Sequence, residues 1–125
     1  MLLRLLFAAG AMLLAAAPLR AASDCPVESG NLDRVEQSIE AAPTCAVAYR
    51  LMNACRRNTS SDVELARIVI AKCERSFVTR GQSARLREYN DERAACAKKY
   101  ARQQGTMYAS FQASCEAGVA AKYGK

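Results

Sequence analysis

From residue 23 onwards, apolar residues recur every three or four positions, which predicts about five short α-helices joined by short turns. No stretch alternates apolar and polar residues as a strand would. We therefore expect an all-α domain over residues 23–125, a small disulfide-stapled bundle of antiparallel helical hairpins. The predicted apolar stripes, in chain order, are Leu32, Val35 and Ile39; Cys45, Ala48, Met52 and Cys55; Ala66, Val69, Ile70, Cys73 and Phe77; Leu86, Tyr89, Cys96 and Tyr100; and Tyr108, Phe111, Cys115 and Val119.

Residues that favour helix ends separate these stripes. A side chain that can accept hydrogen bonds from the first helical turn stands before each predicted helix. The predicted N-caps are Asn31, Thr44, Ser61 (with Glu64 in a capping-box pattern), Ser83 and Thr106. The predicted helix stops are Pro43, Gly81 and Gly105. The stretch "RRNTSS", residues 56–61, predicts a polar turn, and we favour this over the glycosylation sequon that its "NTS" also matches.

Residues 1–22 have the pattern of a cleavable signal peptide. Arg4 precedes an apolar run over residues 5–19, and small residues follow it. A membrane anchor is the alternative, but the run is shorter than the roughly 20 residues that span a bilayer, and Gly10 and Pro18 interrupt it. We expect a periplasmic or secreted protein with no stable membrane insertion once the leader is cleaved.

All six cysteines follow this leader, as in the disulfide framework of a small exported domain. In an antiparallel helical hairpin, facing residues lie at equal distances from the turn. The pair Cys96 and Cys115 is centred on the break at Gly105, and two other pairs are likewise centred on or near predicted turns. We therefore predict the disulfides Cys25–Cys55, Cys45–Cys73 and Cys96–Cys115.

The composition argues against a metal site and against catalysis. The chain has no His and no CxxC pair, whereas structural zinc sites use closely spaced ligands. Without His, the usual base for a Ser or Cys nucleophile is missing. The adjacent carboxylates Asp91 and Glu92 are interpreted as solvated ion-pair partners of the nearby Arg85, Arg87 and Arg93. We expect no catalytic residue, no metal and no cofactor.

Charge is unevenly distributed along the mature chain. Residues 23–64 carry seven acids and four bases, whereas residues 65–125 carry five acids and twelve bases. The bases are interspersed with acids and form no block. No nucleic-acid-binding motif is present, and export argues against such a partner. The basic half makes an anionic surface polymer a candidate partner.

Five residues are candidates for partner binding. Gly105, Thr106, Met107 and Tyr108 form the predicted tip of the last hairpin, where rigid scaffolds often carry binding residues. The alternative is that Met107 and Tyr108 fold inward, Tyr108 with the stripe of its helix, and that Gly105 only ends a helix. Arg93 interrupts the stripe of the fourth helix. It either belongs to a docking surface or covers apolar surface while its guanidinium reaches water or an acid of residues 23–64.

Two stretches resemble the LprI-type lysozyme-inhibitor family of small exported helical proteins. They are "AYRLMNACRRNTSSDVELARIVIAKCE" and "YNDERAACAKKYARQQGTMYASFQASCEAGVA". The shared features are a Cys-bearing helix, an Asp- and Leu-containing helix after a polar turn, and a tail with Cys, Gly-Thr and Cys. The resemblance implies inhibition of muramidases by surface docking. Because lysozymes are commonly basic, either the acidic first half or a loop that plugs the enzyme's cleft would make the contact.

We therefore expect an exported, non-catalytic binding or inhibitory module whose partner is a protein such as a muramidase. The alternative is a cationic envelope-associated protein that binds polyanionic surface polymers through residues 65–125. Salt separates the two, because charge screening weakens the binding of a polyanion far more than that of an apolar docking surface.

Overall fold

The computed structural model describes residues 25–28, 30–80 and 83–125, and within these ranges all regular structure is helical, which confirms the all-α prediction. None of the described helices is long and apolar enough to cross a membrane. The predicted signal peptide and the predicted stop at Gly81 lie outside the described residues. The helices are α1 (Leu32–Ala41), α2 (Cys45–Cys55), α3 (Ser61–Glu74), α4 (Ser83–Tyr100) and α5 (Thr106–Tyr123), with a 3₁₀ turn at Val78–Arg80.

Helix α3 lies at the centre of the bundle. It packs against α1, α2 and α5, while α5 also contacts α2 and carries α4 on its other side. The core follows the predicted stripes of the first three helices closely, because each contributes its apolar face to the space around α3. The largest fully buried apolar side chains are Val35, Ile39, Met52, Leu65 and Val69, together with Tyr89 from α4.

Three disulfides fasten neighbouring parts of this bundle. Cys45–Cys73 joins the start of α2 to the end of α3 with a Cα separation of 4.9 Å, and Cys96–Cys115 joins α4 to α5 with a separation of 5.8 Å. The third is Cys25–Cys55, at 4.6 Å. These are the pairings that the hairpin spacing predicts. Cys25 lies before α1, however, so the third disulfide joins a non-helical segment to the end of α2.

Two of the predicted N-caps are present in the structure. Asn31 Oδ1 accepts a hydrogen bond from the backbone N–H of Arg34 at 3.2 Å, and Thr44 Oγ1 accepts one from Val47 at 3.2 Å. Each satisfies a donor that the first turn of the helix leaves unpaired.

At α4 and α5 the prediction was one residue late. Ser83 and Thr106 are the first residues of these helices and not their caps. Gly105 occupies the cap position of α5 with a φ of +112°. This is a left-handed conformation, which glycine adopts without the steric cost that a Cβ imposes. The turn between α4 and α5 therefore requires glycine at position 105 because of its backbone conformation.

The predicted capping box of Ser61 and Glu64 is wrong. Helix α3 does start at Ser61, but Ser60 at the cap position makes no side-chain capping bond. Asp62 orders the turn instead, because its buried carboxylate accepts hydrogen bonds from the backbone N–H groups of Arg57 and Thr59 at 3.0 and 3.2 Å. The polar turn itself is confirmed.

The buried face of α5 is not the predicted aromatic stripe. Its buried residues are mostly small, whereas Tyr108, Phe111, Cys115 and Val119 are only half-buried. Small side chains let α5 approach its neighbours closely: a Cβ at Gly118 would lie 2.7 Å from Tyr49 Oη. The aromatic rings are consequently left at the surface. The buried residues of α5 are Ser110, Ala113, Ser114, Ala117, Ala120, Ala121 and Tyr123.

Candidate binding face

A cleft of about 380 Å³ opens where the end of α2, the end of α4 and the first half of α5 meet. Three aromatic rings and two cations define it, and we call this set the aromatic–basic cleft: Tyr49, Tyr100, Phe111, Arg56 and Lys99. Lys99 is exposed and the other four are half-buried. Each of the five therefore offers part of its surface to a ligand.

The rings of the cleft are held by regular structure. The Phe111 ring lies 6.3 Å from that of Tyr100 and 6.1 Å from that of Tyr108, measured between centroids. Aromatic pairs at such distances attract one another when tilted or edge-on. The disulfide Cys96–Cys115 ties α4 to α5 beside them. The cleft thus stands on helices that cannot easily separate.

Both cations of the cleft lie against its rings. Arg56 Cζ is 5.8 Å from the centroid of Phe111, and Lys99 Nζ is 5.3 Å from that of Tyr100. The negative face of an aromatic ring attracts a cation at this range. In the part of the chain that the structure describes, neither Arg56 nor Lys99 takes part in an ion pair.

The segments that form the cleft contain bases but no acids. Residues 45–58 and 94–115 contain six bases and no Asp or Glu. Three of the six precede residue 65, and one of these, Arg56, lies in the same cleft as Lys99 from residues 65–125. The six bases are Arg50, Arg56, Arg57, Lys98, Lys99 and Arg102.

Two hydrogen bonds hold α5 in register beside the cleft, one buried and one partly buried. Ser110 Oγ donates to Asp62 Oδ2 at 2.6 Å, and Ser114 Oγ donates to Asn53 Oδ1 at 2.9 Å. Buried polar groups that find their partners only in one arrangement specify that arrangement. Sequence reasoning missed both pairs, since the partners are far apart along the chain.

The predicted binding residues at the hairpin tip lie next to the cleft. Gly105, Thr106 and Met107 are exposed, with 43% of Met107 accessible. Tyr108 is half-buried and packs edge-on against Phe111. The interpretation of Tyr108 as a core residue was therefore wrong, because the stripe it shares with Phe111 is not the buried face of α5.

Arg93, the fifth predicted binding residue, is not brought together with the tip. Its guanidinium donates to Glu74 of α3 at 3.2 Å and to Glu116 of α5 at 2.8 Å, and it lies over the ring of Tyr89. Both carboxylates come from residues 65–125, so the alternative of an acid from residues 23–64 was wrong. Arg93 connects three helices and lies outside the cleft.

The adjacent carboxylates of α4 do not converge. Glu92 accepts hydrogen bonds from Lys122 Nζ at 2.7 Å and Tyr123 Oη at 2.8 Å, and Asp91 is exposed. These bonds lower the pKa of Glu92 and raise the pKa of Tyr123 to about 12. The partners of Glu92 come from α5, and not from the arginines of α4 as expected.

A second groove, of about 390 Å³, runs between α3 and α5. Apolar side chains such as Val63, Ile70 and Ala113 line most of it. Its charged groups include Arg93 and Glu116, which are already paired with each other. The groove therefore offers less to distinguish one ligand from another than the aromatic–basic cleft does.

Within residues 25–28, 30–80 and 83–125, no group of three or more His, Cys, Asp or Glu side chains is placed to hold a metal ion. All six cysteines are paired in disulfides. Comparisons with protein-family models, curated proteins and solved structures found no match.

Proposed function

We propose that the mature chain, residues 23–125, is an exported, non-catalytic binding module that holds an anionic polymer of the cell envelope in the aromatic–basic cleft. One observation carries this proposal: the segments that form the cleft contain six bases and no acid, and three partly exposed aromatic rings line the cleft itself. The leader pattern and the three disulfides are consistent with an oxidising compartment outside the cytoplasm.

The charge of the cleft supports an anionic ligand. Among the described residues, three bases are ion-paired with carboxylates, namely Arg67, Arg93 and Lys122. Arg56 and Lys99 have no such partner there, so their field extends into the solvent around the cleft. An incoming polyanion would replace water around these cations without displacing a carboxylate of the chain.

The rigidity of the cleft supports a binding role. The Cys96–Cys115 disulfide and the buried Asp62–Ser110 hydrogen bond position the rings and cations before any ligand arrives. A preformed site loses little conformational entropy when it binds. Its chemistry is suited to attraction and packing, since its main side chains are aromatic rings and cations.

Titration of the mature protein with dextran sulfate at increasing salt tests the proposal. We expect tight binding at low salt that weakens steeply, because screening and counterion release act on every charge contact. No binding at low salt, or an affinity that does not depend on salt, would exclude a polyanion as the ligand.

Variants that remove one positive charge test whether the polyanion binds at the cleft. Arg56→Gln and Lys99→Gln should each weaken binding severalfold and reduce its salt dependence. Arg75→Gln is the matched control. It removes the same charge from an exposed position just after the C-terminal end of α3. The disulfide Cys45–Cys73 joins this end of α3 to the start of α2, whereas the cleft lies at the end of α2. If the three variants weaken binding equally, the interaction depends on net charge and not on the cleft.

Inhibition of a muramidase, which the LprI resemblance implies, is the second candidate. One observation favours it: the exposed Met107 stands beside Tyr108 at the hairpin tip, where an apolar side chain can enter an enzyme's cleft. A cell-wall lysis assay with lysozyme tests this. Inhibition that Met107→Ala abolishes and added salt leaves unchanged would favour muramidase docking over polyanion binding.

A further inference from the structure

Resting on the proposed function, we infer that the unit bound in the cleft is a sugar ring that carries an anionic group, so that the polymer is an acidic polysaccharide. Charge alone would not need the rings of Tyr49, Tyr100 and Phe111 on the same walls as Arg56 and Lys99. The half-exposed rings lie beside cations that form no ion pair among the described residues. This juxtaposition favours a ligand with both an apolar face and a negative charge.

The rings account for the apolar half of this recognition. A pyranose presents a patch of C–H groups beside its hydroxyls, and such a patch packs favourably against aromatic surface. Phe111 and Tyr100 come from different helices, with centroids 6.3 Å apart, and Tyr49 stands on a third helix. Together they supply the apolar part of an open cleft, and its volume of about 380 Å³ falls in the usual range of small-ligand sites.

The cations account for the charged half. Arg56 Cζ lies 5.8 Å from the centre of the Phe111 ring and Lys99 Nζ lies 5.3 Å from that of Tyr100. A sugar that contacts either ring therefore has a cation beside it. The guanidinium can donate two parallel hydrogen bonds to a carboxylate or a sulfate group, and the ammonium adds a second point charge.

The inference can be tested with polymers that carry sugar rings, anionic groups or both. Oligogalacturonate has sugar rings and carboxylates, poly-glutamate has carboxylates without rings, and dextran has rings without charge. At a salt concentration that screens simple charge attraction, we expect oligogalacturonate to bind about tenfold more tightly than poly-glutamate, and dextran not to bind. Dextran sulfate should follow oligogalacturonate, because the anionic group can be a carboxylate or a sulfate.

The outcomes separate this inference from the proposed function. Equal binding of poly-glutamate and oligogalacturonate would overturn the acidic-sugar inference and leave a polyanion-binding module standing. Tighter binding of a single-stranded oligonucleotide would overturn it as well, since nucleobases would then be the preferred rings. If no polyanion binds, or if dextran binds as tightly as the acidic sugars, the proposed function fails.

Phe111→Leu locates the ring contribution. This change keeps an apolar side chain on a helical position, so the fold should survive, which helical circular dichroism and melting would check. We expect oligogalacturonate affinity to fall by about tenfold, to the level of poly-glutamate, while poly-glutamate affinity stays constant. Val78→Leu, an exposed apolar substitution outside the cleft, is the matched control. An unchanged preference in Phe111→Leu would overturn the inference.

Discussion

Two clusters of three aromatic rings can be compared in this bundle. The inner cluster consists of Phe77, Tyr89 and Tyr123, which are 6%, 2% and 7% exposed. Its ring centroids are 4.9, 5.5 and 6.0 Å apart. The outer cluster consists of Tyr100, Tyr108 and Phe111, all half-buried, with ring contacts at 6.1 and 6.3 Å.

The polar groups around the rings differ more than the ring contacts do. Tyr89 Oη donates to Glu74 at 2.7 Å, and Tyr123 Oη donates to Glu92 at 2.8 Å. Cations lie over the rings of both clusters. Arg93 and Lys122, beside the inner rings, are paired with Glu116 and Glu92. Arg56 and Lys99, beside the outer rings, stand in segments that contain no acid. The inner cluster is thus a satisfied part of the core, whereas the outer cluster leaves apolar surface and positive charge available to a ligand.

The largest expected difference between the clusters is in stability. Tyr89→Ala should lower the free energy of unfolding by about 3–5 kcal/mol, because it removes a buried ring and leaves a cavity. Phe111→Ala should lower it by only about 1 kcal/mol, because part of the ring is already exposed. Urea unfolding under oxidising conditions measures both. Equal losses would show that the outer cluster is part of the core.

The second largest difference between the clusters is expected in their response to disulfide removal. The double variant Cys96→Ser/Cys115→Ser should lower stability by about 3 kcal/mol and weaken dextran sulfate binding, because α4 and α5 are released beside the cleft. Near-ultraviolet circular dichroism should still report the packed inner rings. The control Cys45→Ser/Cys73→Ser should lower stability similarly and retain the affinity. Loss of affinity in the control alone would contradict this assignment.

Alkaline pH should affect the inner cluster. Burial, followed by the hydrogen bond to Glu74, raises the pKa of Tyr89 above its ordinary value of 10.0, and the bond to Glu92 is the main cause that raises the pKa of Tyr123 to about 12. The unfolded chain therefore loses these protons first. Stability should be unaffected by these groups well below about pH 10 and should fall as the pH rises towards about 12.

Urea midpoints across this range measure the alkaline effect. Tyr123→Phe should reduce the slope, because it removes one of the two phenols with a raised pKa. A stability that stays constant from about pH 10 to pH 12 would mean that neither inner hydroxyl is held by its carboxylate.

The smallest stability effect is expected at Gly118. A Cβ there would meet Tyr49 Oη at 2.7 Å, at the end of a flexible side chain that can move aside. The gain in helix propensity, about 1 kcal/mol, offsets that shift, so the net change in Gly118→Ala should stay below about 1 kcal/mol. Displacement of Tyr49 should nevertheless lower the affinity of the cleft severalfold. The control is Gly30→Ala, where nothing lies within 4 Å.

Local features of the sequence determined where the helices lie and how the cysteines pair. Asn31 and Thr44 cap their helices through hydrogen bonds to the residue three positions later. Gly105 separates two helices because its own backbone adopts a positive φ. The pairing of Cys96 with Cys115 follows from equal distances to that break. Such features depend on residues that are near one another along the chain, so they can be predicted from the sequence without the tertiary structure.

Only the tertiary structure decided which face of α5 is buried and what surrounds it. The periodicity of α5 is compatible with an aromatic stripe facing inward, but α2, α3 and α4 leave room for alanine and serine there, and exclude Phe111. The same packing brings Arg56 to Phe111 and Asp62 to Ser110 across long stretches of chain. The choice between two faces of one helix depends on the shape of its neighbours, because interiors are close-packed and admit only side chains that fit.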